Sequence, residues 1–265
     1  MTSRTRLLAA GLFLFALFGA LATAASAADQ PQTRLDAIIA RGALRVGTTG
    51  DYKPFSFDNP ATHKFEGLDI DMAESLGKAL GVKVEYVKTA WPNLMADFTA
   101  DKFDVALGGV SVTLPRQKKG FFSIPYMVDG KTPIARCADA KKYQTIAQID
   151  KPNVRVIVNP GGTNEAFARD NLKQAKIEVW KDNVTIFDQI VAKKADVMIT
   201  DASETMLQSK LHKELCSIHP DKAFNFAEKA YWLQPDIAFK LFVDQWLHLA
   251  IATKEYQKIS DKWFK

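Results

Sequence analysis

Short apolar runs alternate along the chain with longer stretches in which apolar residues recur every three or four positions. The runs at 43–49, 82–89 and 103–109 predict buried strands. Between them, the apolar positions of 68–80 fall on one face of a helix, and 94–100 predicts a shorter helix. This strand–helix–strand order predicts a parallel sheet with helices packed on its faces.

The same alternation begins again in the second half of the chain. We expect strands at 132–137, 154–159, 176–181 and 197–200, and helices at 163–172 and 186–193. A last strand-like stretch, 229–233, leads into a long amphipathic helix that starts at about Asp236. Two α/β units without a low-complexity linker predict an α/β protein of two lobes that share crossover strands.

The amino-terminal segment has a pattern of its own. Arg4 and Arg6 precede an uncharged apolar run, which ends in the small residues Ala25, Ser26 and Ala27. This order is typical of a secretory signal peptide, residues 1–27, cleaved after Ala27. A membrane anchor is the alternative, because the run is nearly long enough to span a bilayer. We favour cleavage and export, since the small residues stand where an anchor would carry a charge cluster.

Composition narrows the class of protein. Of the 265 residues, 47% are hydrophobic and 25% are charged, which is typical of a soluble globular protein and excludes a disordered chain or a multi-span membrane protein. The net charge of +5 is spread among acids rather than gathered in a stripe, which argues against nucleic-acid binding. The sequence contains no cluster with metal-ligand spacing, no P-loop and no GxSxG motif.

The two cysteines, Cys137 and Cys216, are far apart and belong to no CxxC motif. In an exported protein an even pair of this kind favours a structural disulfide. Two buried thiols are the alternative.

Six segments, taken in order, resemble the type II periplasmic solute-binding proteins, which deliver polar amino acids to transporters: LRVGTTGDYKPFSF, FEGLDIDMAESLGKALG, FDVALGGVSVTLPRQ, FSIPY, VNPGGTNE and ADVMITDASE. The resemblance implies an α/β fold of two lobes, joined by two crossover strands, with the ligand cleft between them. It places lobe one at 28–127 plus 229–265 and lobe two at 128–228. It also implies a periplasmic location and brings Cys137 and Cys216 into lobe two, where they can pair.

A narrower resemblance is to the cyclohexadienyl dehydratases, exported relatives of those proteins, through TTGDYKPFS, WPNLM, DGKTPI, VNPGGTNEAFA, DNVTIF, TDASE and FAEKAY. It implies a carbon–oxygen lyase that converts prephenate to phenylpyruvate and arogenate to phenylalanine, without a cofactor. The alternative is a non-catalytic amino-acid-binding protein of an ABC transporter. A sensor lobe detached from a receptor is a weaker third option. The sequence does not indicate the oligomeric state.

Prephenate, a substrate that the resemblance implies, is a dianion, so the resemblance also implies carboxylate-binding groups. Arg116 stands where the solute-binding family places its carboxylate-binding arginine, with Ser111 as a further donor; a guanidinium offers two parallel N–H groups. In the other lobe, Gly161, Gly162 and Thr163 precede a helix and offer bare N–H groups. The alternative for the two glycines is an ordinary strand-to-helix turn.

Aromatic residues and carboxylates supply the remaining candidates. Trp91 and Tyr52 are expected to pack on the substrate ring, although such residues often only cover a core. Within TDASE, Asp201 corresponds to the residue with which relatives pair a ligand ammonium group, and Glu204 is the candidate general acid. The alternative for Glu204 is a solvated acid in the first turn of a helix.

Three further polar residues complete the predicted site. The amide of Asn159 could bind the departing hydroxyl or a carboxylate, and Lys131 could add positive charge to the cleft. Asp51 is predicted to orient Lys131 or Asn159. Glu204, Asn159 and Lys131 are therefore the predicted catalytic residues.

Overall fold

The computed structural model describes residues 33–264, and two five-stranded sheets form its framework. In spatial order, the first sheet contains Lys83–Lys88, Ala43–Thr48, Val105–Ala106, Trp232–Leu233 and Phe121–Phe122. The second sheet contains Lys176–Val179, Arg155–Val158, Val197–Asp201, Lys131–Arg136 and Leu215–Ser217. In each sheet the first three strands are parallel to one another. The fourth strand is antiparallel to both the third and the fifth.

The other strands of residues 33–264 form two smaller sheets. Met127–Asp129 pairs with Ala227–Lys229, and we call this pair the crossover ribbon because it joins the chain segments of the two large sheets. A three-stranded sheet of Asp51–Tyr52, Ser56–Asn59 and Lys64–Glu66 follows the first strand.

The α-helices cover the faces of the sheets: Arg34–Arg41, Leu68–Leu80, Leu94–Thr99, Leu114–Gln117, Ile146–Ile149, Thr163–Asn171, Ile186–Val191, Ala202–Leu211, Ile237–Ala252 and Glu255–Phe264. A 3₁₀ helix spans Cys137–Lys142. Within residues 33–264, no helix is long and apolar enough to cross a membrane.

The two-lobed α/β architecture is confirmed, and each sheet has its own apolar core. Leu44, Val46 and Leu76 are fully buried in the first core, and Val156 and Ile199 are fully buried in the second. The strands of the first sheet fall within 43–122 and 232–233, and those of the second within 131–217. The exact lobe bounds stay a prediction, and the predicted signal peptide lies outside the described residues.

Two predicted strands differ from the structure. The stretch 103–109 yields only Val105–Ala106, because Gly108 and Gly109 have φ of +131° and +73° and their N–H groups donate to Asp69. The stretch 229–233 is divided, since its first residue pairs in the crossover ribbon and Trp232–Leu233 pairs in the first sheet.

The predicted disulfide is confirmed. Cys137 and Cys216 are bonded, with their Cα atoms 4.8 Å apart. The bond ties the beginning of the 3₁₀ helix to the edge strand Leu215–Ser217 of the second sheet.

Candidate functional site

A small cavity lies between the two sheets, and we call it the central cavity. It holds about 20 Å³, roughly the room of one water molecule. Residues from both lobes line it: Tyr52, Trp91, Gly109, Ser111, Asn159, Gly162, Thr163, Asn164, Asn183 and Asp201. The structure thus brings seven of the predicted site residues together around one space.

Contacts across the cleft explain why the central cavity is small. The Tyr52 hydroxyl donates to Asp201 Oδ2 at 2.5 Å, and Asn183 Nδ2 donates to the backbone oxygen of Asp51 at 3.0 Å. An outer cavity of about 470 Å³ adjoins it and shares Trp91 and Asn159 in its lining. The volume of the outer cavity lies in the range of ordinary small-molecule sites.

Asp201 is the centre of the charged groups in the cleft. Asp201 lies directly opposite Lys131 in the antiparallel strand pair, and Lys131 Nζ is 2.6 Å from its Oδ1. Lys229 Nζ, from the crossover ribbon, is 2.5 Å from its Oδ2. Burial alone would raise the pKa of Asp201, but the charges of the two lysines hold it well below its ordinary value. Asp201 is therefore an ionised carboxylate bound to two buried ammonium groups.

Lys229 is a charged residue of the cleft that sequence reasoning missed. Its side chain is fully buried, and its Nζ also lies 3.0 Å from Gly109 O and 3.1 Å from Ser111 Oγ. A buried lysine needs such partners, because desolvating an unpaired charge is costly. The only local signal is that Lys229 directly precedes the apolar run Ala230–Leu233, and this does not indicate a buried cation.

Glu204 lies one helical turn beyond Asp201, and its pKa is shifted in the opposite direction. Its side chain is only 1% exposed, which excludes the alternative of a solvated first-turn acid. Burial raises its pKa to about 8, although the Thr200 hydroxyl donates to Glu204 Oε2 at 2.5 Å and acts in the other direction. At neutral pH, Glu204 is therefore a neutral carboxylic acid.

A chain of hydrogen bonds connects Lys131 to Glu204. Lys131 Nζ donates to Asn164 Oδ1, and Asn164 Nδ2 donates to Thr200 Oγ1 at 2.9 Å. The same amide donates to Asn159 Oδ1 at 3.1 Å. All three predicted catalytic residues are thus linked through Asn164 and Thr200, neither of which the sequence singled out.

Arg116 is buried beside Ser111 in the other lobe. Its Nη1 donates to the backbone oxygen of Ser111 at 2.8 Å, its one hydrogen bond from the side chain among residues 33–264. Burial lowers the pKa of Arg116 to about 10, so the guanidinium remains charged at neutral pH. The rest of its donor fork is available to a carboxylate. Neither Arg116 nor Glu204 belongs to the described lining of the central cavity.

The glycine turn lies at the start of the helix Thr163–Asn171. The N–H of Gly161 donates to Glu165 Oε2 at 2.7 Å, so the expectation of a bare N–H at this position is wrong. A Cβ on Gly161 would lie 2.6 Å from the Cα of Pro92, across the cleft. The hydroxyl of Thr163 accepts from Lys131 Nζ at 2.9 Å. The turn therefore permits the close approach of Pro92 from across the cleft, and its role in anion binding stays a prediction.

The aromatic candidates form one side of the cleft. Trp91 is half-buried, and its ring meets that of Tyr52 edge-on at 5.6 Å. Trp91 Nε1 donates to Asp51 Oδ1 at 3.0 Å. The prediction that Asp51 orients Lys131 or Asn159 is wrong, because its carboxylate instead holds the indole of Trp91.

Comparison with known proteins assigns the family. Residues 44–265 match the model of the bacterial extracellular solute-binding proteins, family 3. The chain belongs to this family. It is 55% identical over 246 residues to the cyclohexadienyl dehydratase of Pseudomonas aeruginosa, covering 92% of this chain and 91% of that protein. It is 26% identical over 231 residues to the histidine-binding periplasmic protein of Salmonella typhimurium, covering 83% and 87%.

Solved structures agree with this assignment. An ancestral amino-acid-binding protein, described as a precursor of cyclohexadienyl dehydratase, matches with a TM-score of 0.81 and 36% identity over 87% of this chain and 99% of that one. An ancestral cyclohexadienyl dehydratase matches with a TM-score of 0.55 and 52% identity over 88% and 96%. The fold is therefore shared by binding proteins and by dehydratases, and the side chains of the cleft must decide between them.

Proposed function

We propose that the protein is an exported, periplasmic dehydratase that converts prephenate to phenylpyruvate and arogenate to phenylalanine, and so acts as a carbon–oxygen lyase without a cofactor. The 55% identity to the Pseudomonas aeruginosa cyclohexadienyl dehydratase supports this proposal. Residues 1–27 are proposed to be the signal peptide that directs export.

The observation that carries the proposal is the burial of the Glu204 carboxyl group, which lies one helical turn beyond Asp201 and accepts a hydrogen bond from Thr200. Loss of hydroxide from carbon is slow unless the oxygen is protonated, and an acid with a pKa of about 8 holds its proton at neutral pH. The neighbouring Asp201 is ionised and has no proton to give.

The reaction balances with this one acid. Glu204 donates its proton to the C4 hydroxyl of prephenate, and the C4–O bond breaks to release water. The bond between the ring and its carboxylate breaks at the same time, and its electron pair enters the ring, which becomes aromatic. Carbon dioxide and phenylpyruvate are released, and Glu204 recovers its proton from solvent.

The other predicted residues have roles that fit their positions. Arg116 is proposed to bind one substrate carboxylate, while Lys131, Gly162 and Thr163 offer positive charge and donors to the second. Asn159 is proposed to hold the departing hydroxyl. Because the central cavity holds only about 20 Å³, binding requires the lobes to separate and then close again around the substrate.

The test is to incubate purified mature protein with prephenate and to follow the absorbance of phenylpyruvate. We expect turnover whose kcat falls about tenfold per pH unit above pH 8, where Glu204 loses its proton. Glu204→Gln should lower kcat by about 10²–10⁴. The matched control Glu178→Gln, on an exposed strand of the second sheet, should retain the parent rate.

Two results would contradict the proposal. If the parent protein turns over neither substrate and binds an amino acid tightly instead, it is a binding protein. If Glu204→Gln keeps the parent rate, the enzyme uses another acid.

A further inference from the structure

Ser111 connects the proposed carboxylate-binding group with the charged centre of the cleft. Its backbone oxygen accepts from Arg116 Nη1 at 2.8 Å, and its hydroxyl oxygen accepts from Lys229 Nζ at 3.1 Å. In an α-keto or α-amino acid, the α-substituent is attached to the atom next to the carboxylate carbon. A substrate whose carboxylate lies on Arg116 therefore places its α-substituent close to Ser111 and Lys229.

The Ser111 hydroxyl is the donor available at this position. Lys229 Nζ is surrounded by oxygen acceptors, with Asp201 Oδ2 at 2.5 Å and Gly109 O at 3.0 Å. The Ser111 hydroxyl accepts from this ammonium and still has its own hydrogen, for which no acceptor is found among residues 33–264. Ser111 also lines the central cavity. A hydroxyl polarised by a neighbouring cation is a good donor to a carbonyl oxygen.

The carboxylate that an ammonium group would need already binds two cations. Asp201 Oδ1 lies 2.6 Å from Lys131 Nζ, and its Oδ2 lies 2.5 Å from Lys229 Nζ. A ligand ammonium at Asp201 would therefore be a third cation beside two buried lysines, and like charges repel strongly inside a protein.

We propose that Ser111, Lys229 and Asp201 form a subsite that selects an α-keto group over an α-ammonium group. This inference rests on the proposed function, and it makes prephenate the better substrate and arogenate the poorer one. Discrimination of this kind combines a donor for the correct group with repulsion of the wrong one. The expected preference in kcat/KM is at least about tenfold, because a lost hydrogen bond and a charge repulsion act together.

Lys229→Met and Lys229→Arg test the role of the charge. Methionine has nearly the volume of lysine without its charge, and arginine keeps the charge. The parent should prefer prephenate over arogenate by about tenfold or more in kcat/KM. Lys229→Met should reduce this ratio by about tenfold, chiefly through a lower KM for arogenate relative to prephenate, and Lys229→Arg should retain it.

A binding experiment separates this inference from the proposed function. Phenylpyruvate and L-phenylalanine share one carbon skeleton and differ in the α-substituent, so each is titrated calorimetrically into parent and variant. Tighter binding of phenylpyruvate to the parent, lost in Lys229→Met, supports the subsite even if neither cyclohexadiene is turned over. Equal binding of both ligands to the parent, or equal kcat/KM for both substrates, overturns the subsite and leaves the dehydratase proposal standing.

Discussion

A buried carboxylic acid that keeps its proton at neutral pH should weaken the fold that contains it. In the unfolded chain Glu204 is ionised at pH 7, whereas in the folded protein its pKa of about 8 requires that a proton be taken up. Glu204→Gln replaces this acid with a neutral side chain of nearly the same shape, which can accept the same hydrogen bond from Thr200. We therefore expect the variant to be more stable than the parent at pH 7.

The magnitude follows from the pKa difference. Holding the proton costs about 1.4 kcal/mol for each pH unit above the ordinary pKa of 4.5, until the folded pKa is reached. The stability that depends on this proton is fully present below pH 4.5 and is lost as the pH rises through about 8. The gain in the free energy of unfolding of Glu204→Gln should therefore be about 1 kcal/mol at pH 5, about 3 at pH 7 and about 4 at pH 8.

Urea denaturation of parent and variant between pH 5 and pH 8, with the disulfide intact, measures this gap. Other titrating groups are common to both chains and cancel in the difference to first order. The control Glu178→Gln removes an exposed carboxylate, so its gap should stay within about 0.5 kcal/mol at every pH. A gap for Glu204→Gln that does not change with pH would refute the reasoning, because the folded and unfolded pKa values would then be equal.

Two further changes test the closed cleft and the disulfide. Gly161→Ala should raise KM for prephenate by about tenfold, because its Cβ would lie 2.6 Å from Pro92 Cα. The control Gly42→Ala introduces the same side chain at a similar positive φ, +68° against +64° at Gly161. Its Cβ would meet no atom within 4 Å, so it should leave KM unchanged. Equal KM values would show that this contact is not needed for binding. Replacing Cys137 and Cys216 together with serine should lower the free energy of unfolding by about 4 kcal/mol, since the bond joins positions 79 residues apart. An unchanged urea midpoint would contradict that expectation.

Much of the fold could be predicted because local signals agree with tertiary packing. The helix 68–80 has the predicted bounds, since its apolar face is buried and Gly81 ends it in the left-handed conformation. The predicted strand 103–109 is too long, because the N–H groups of Gly108 and Gly109 donate to Asp69 instead of to a neighbouring strand. Asp69 is 39 residues away from Gly108 in the sequence. A long-range hydrogen bond of that kind leaves no local pattern in the sequence.

The site could be predicted only in part for a similar reason. Family resemblance singled out Glu204, Arg116 and Asp201 as candidates, because their motifs are continuous in the sequence, and all three are buried in the structure. Lys229 lies 28 residues beyond Asp201 on the crossover ribbon, and only folding makes the two residues partners. Asp51 was assigned to the wrong neighbours, since the position of a loop at a strand end does not determine which donor its carboxylate will meet.

Asp201 and Glu204 show how one short segment can supply both an anion and an acid. Asp201 begins the helix Ala202–Leu211 but makes no capping hydrogen bond to it, because its oxygens bind Lys131 and Lys229 instead. Those cations keep Asp201 ionised, while burial keeps Glu204 protonated. The ionised Asp201 also raises the pKa of Glu204, and the two lysines lower it. The protonation of Glu204 therefore depends on a balance between its burial and the charges of Asp201, Lys131 and Lys229.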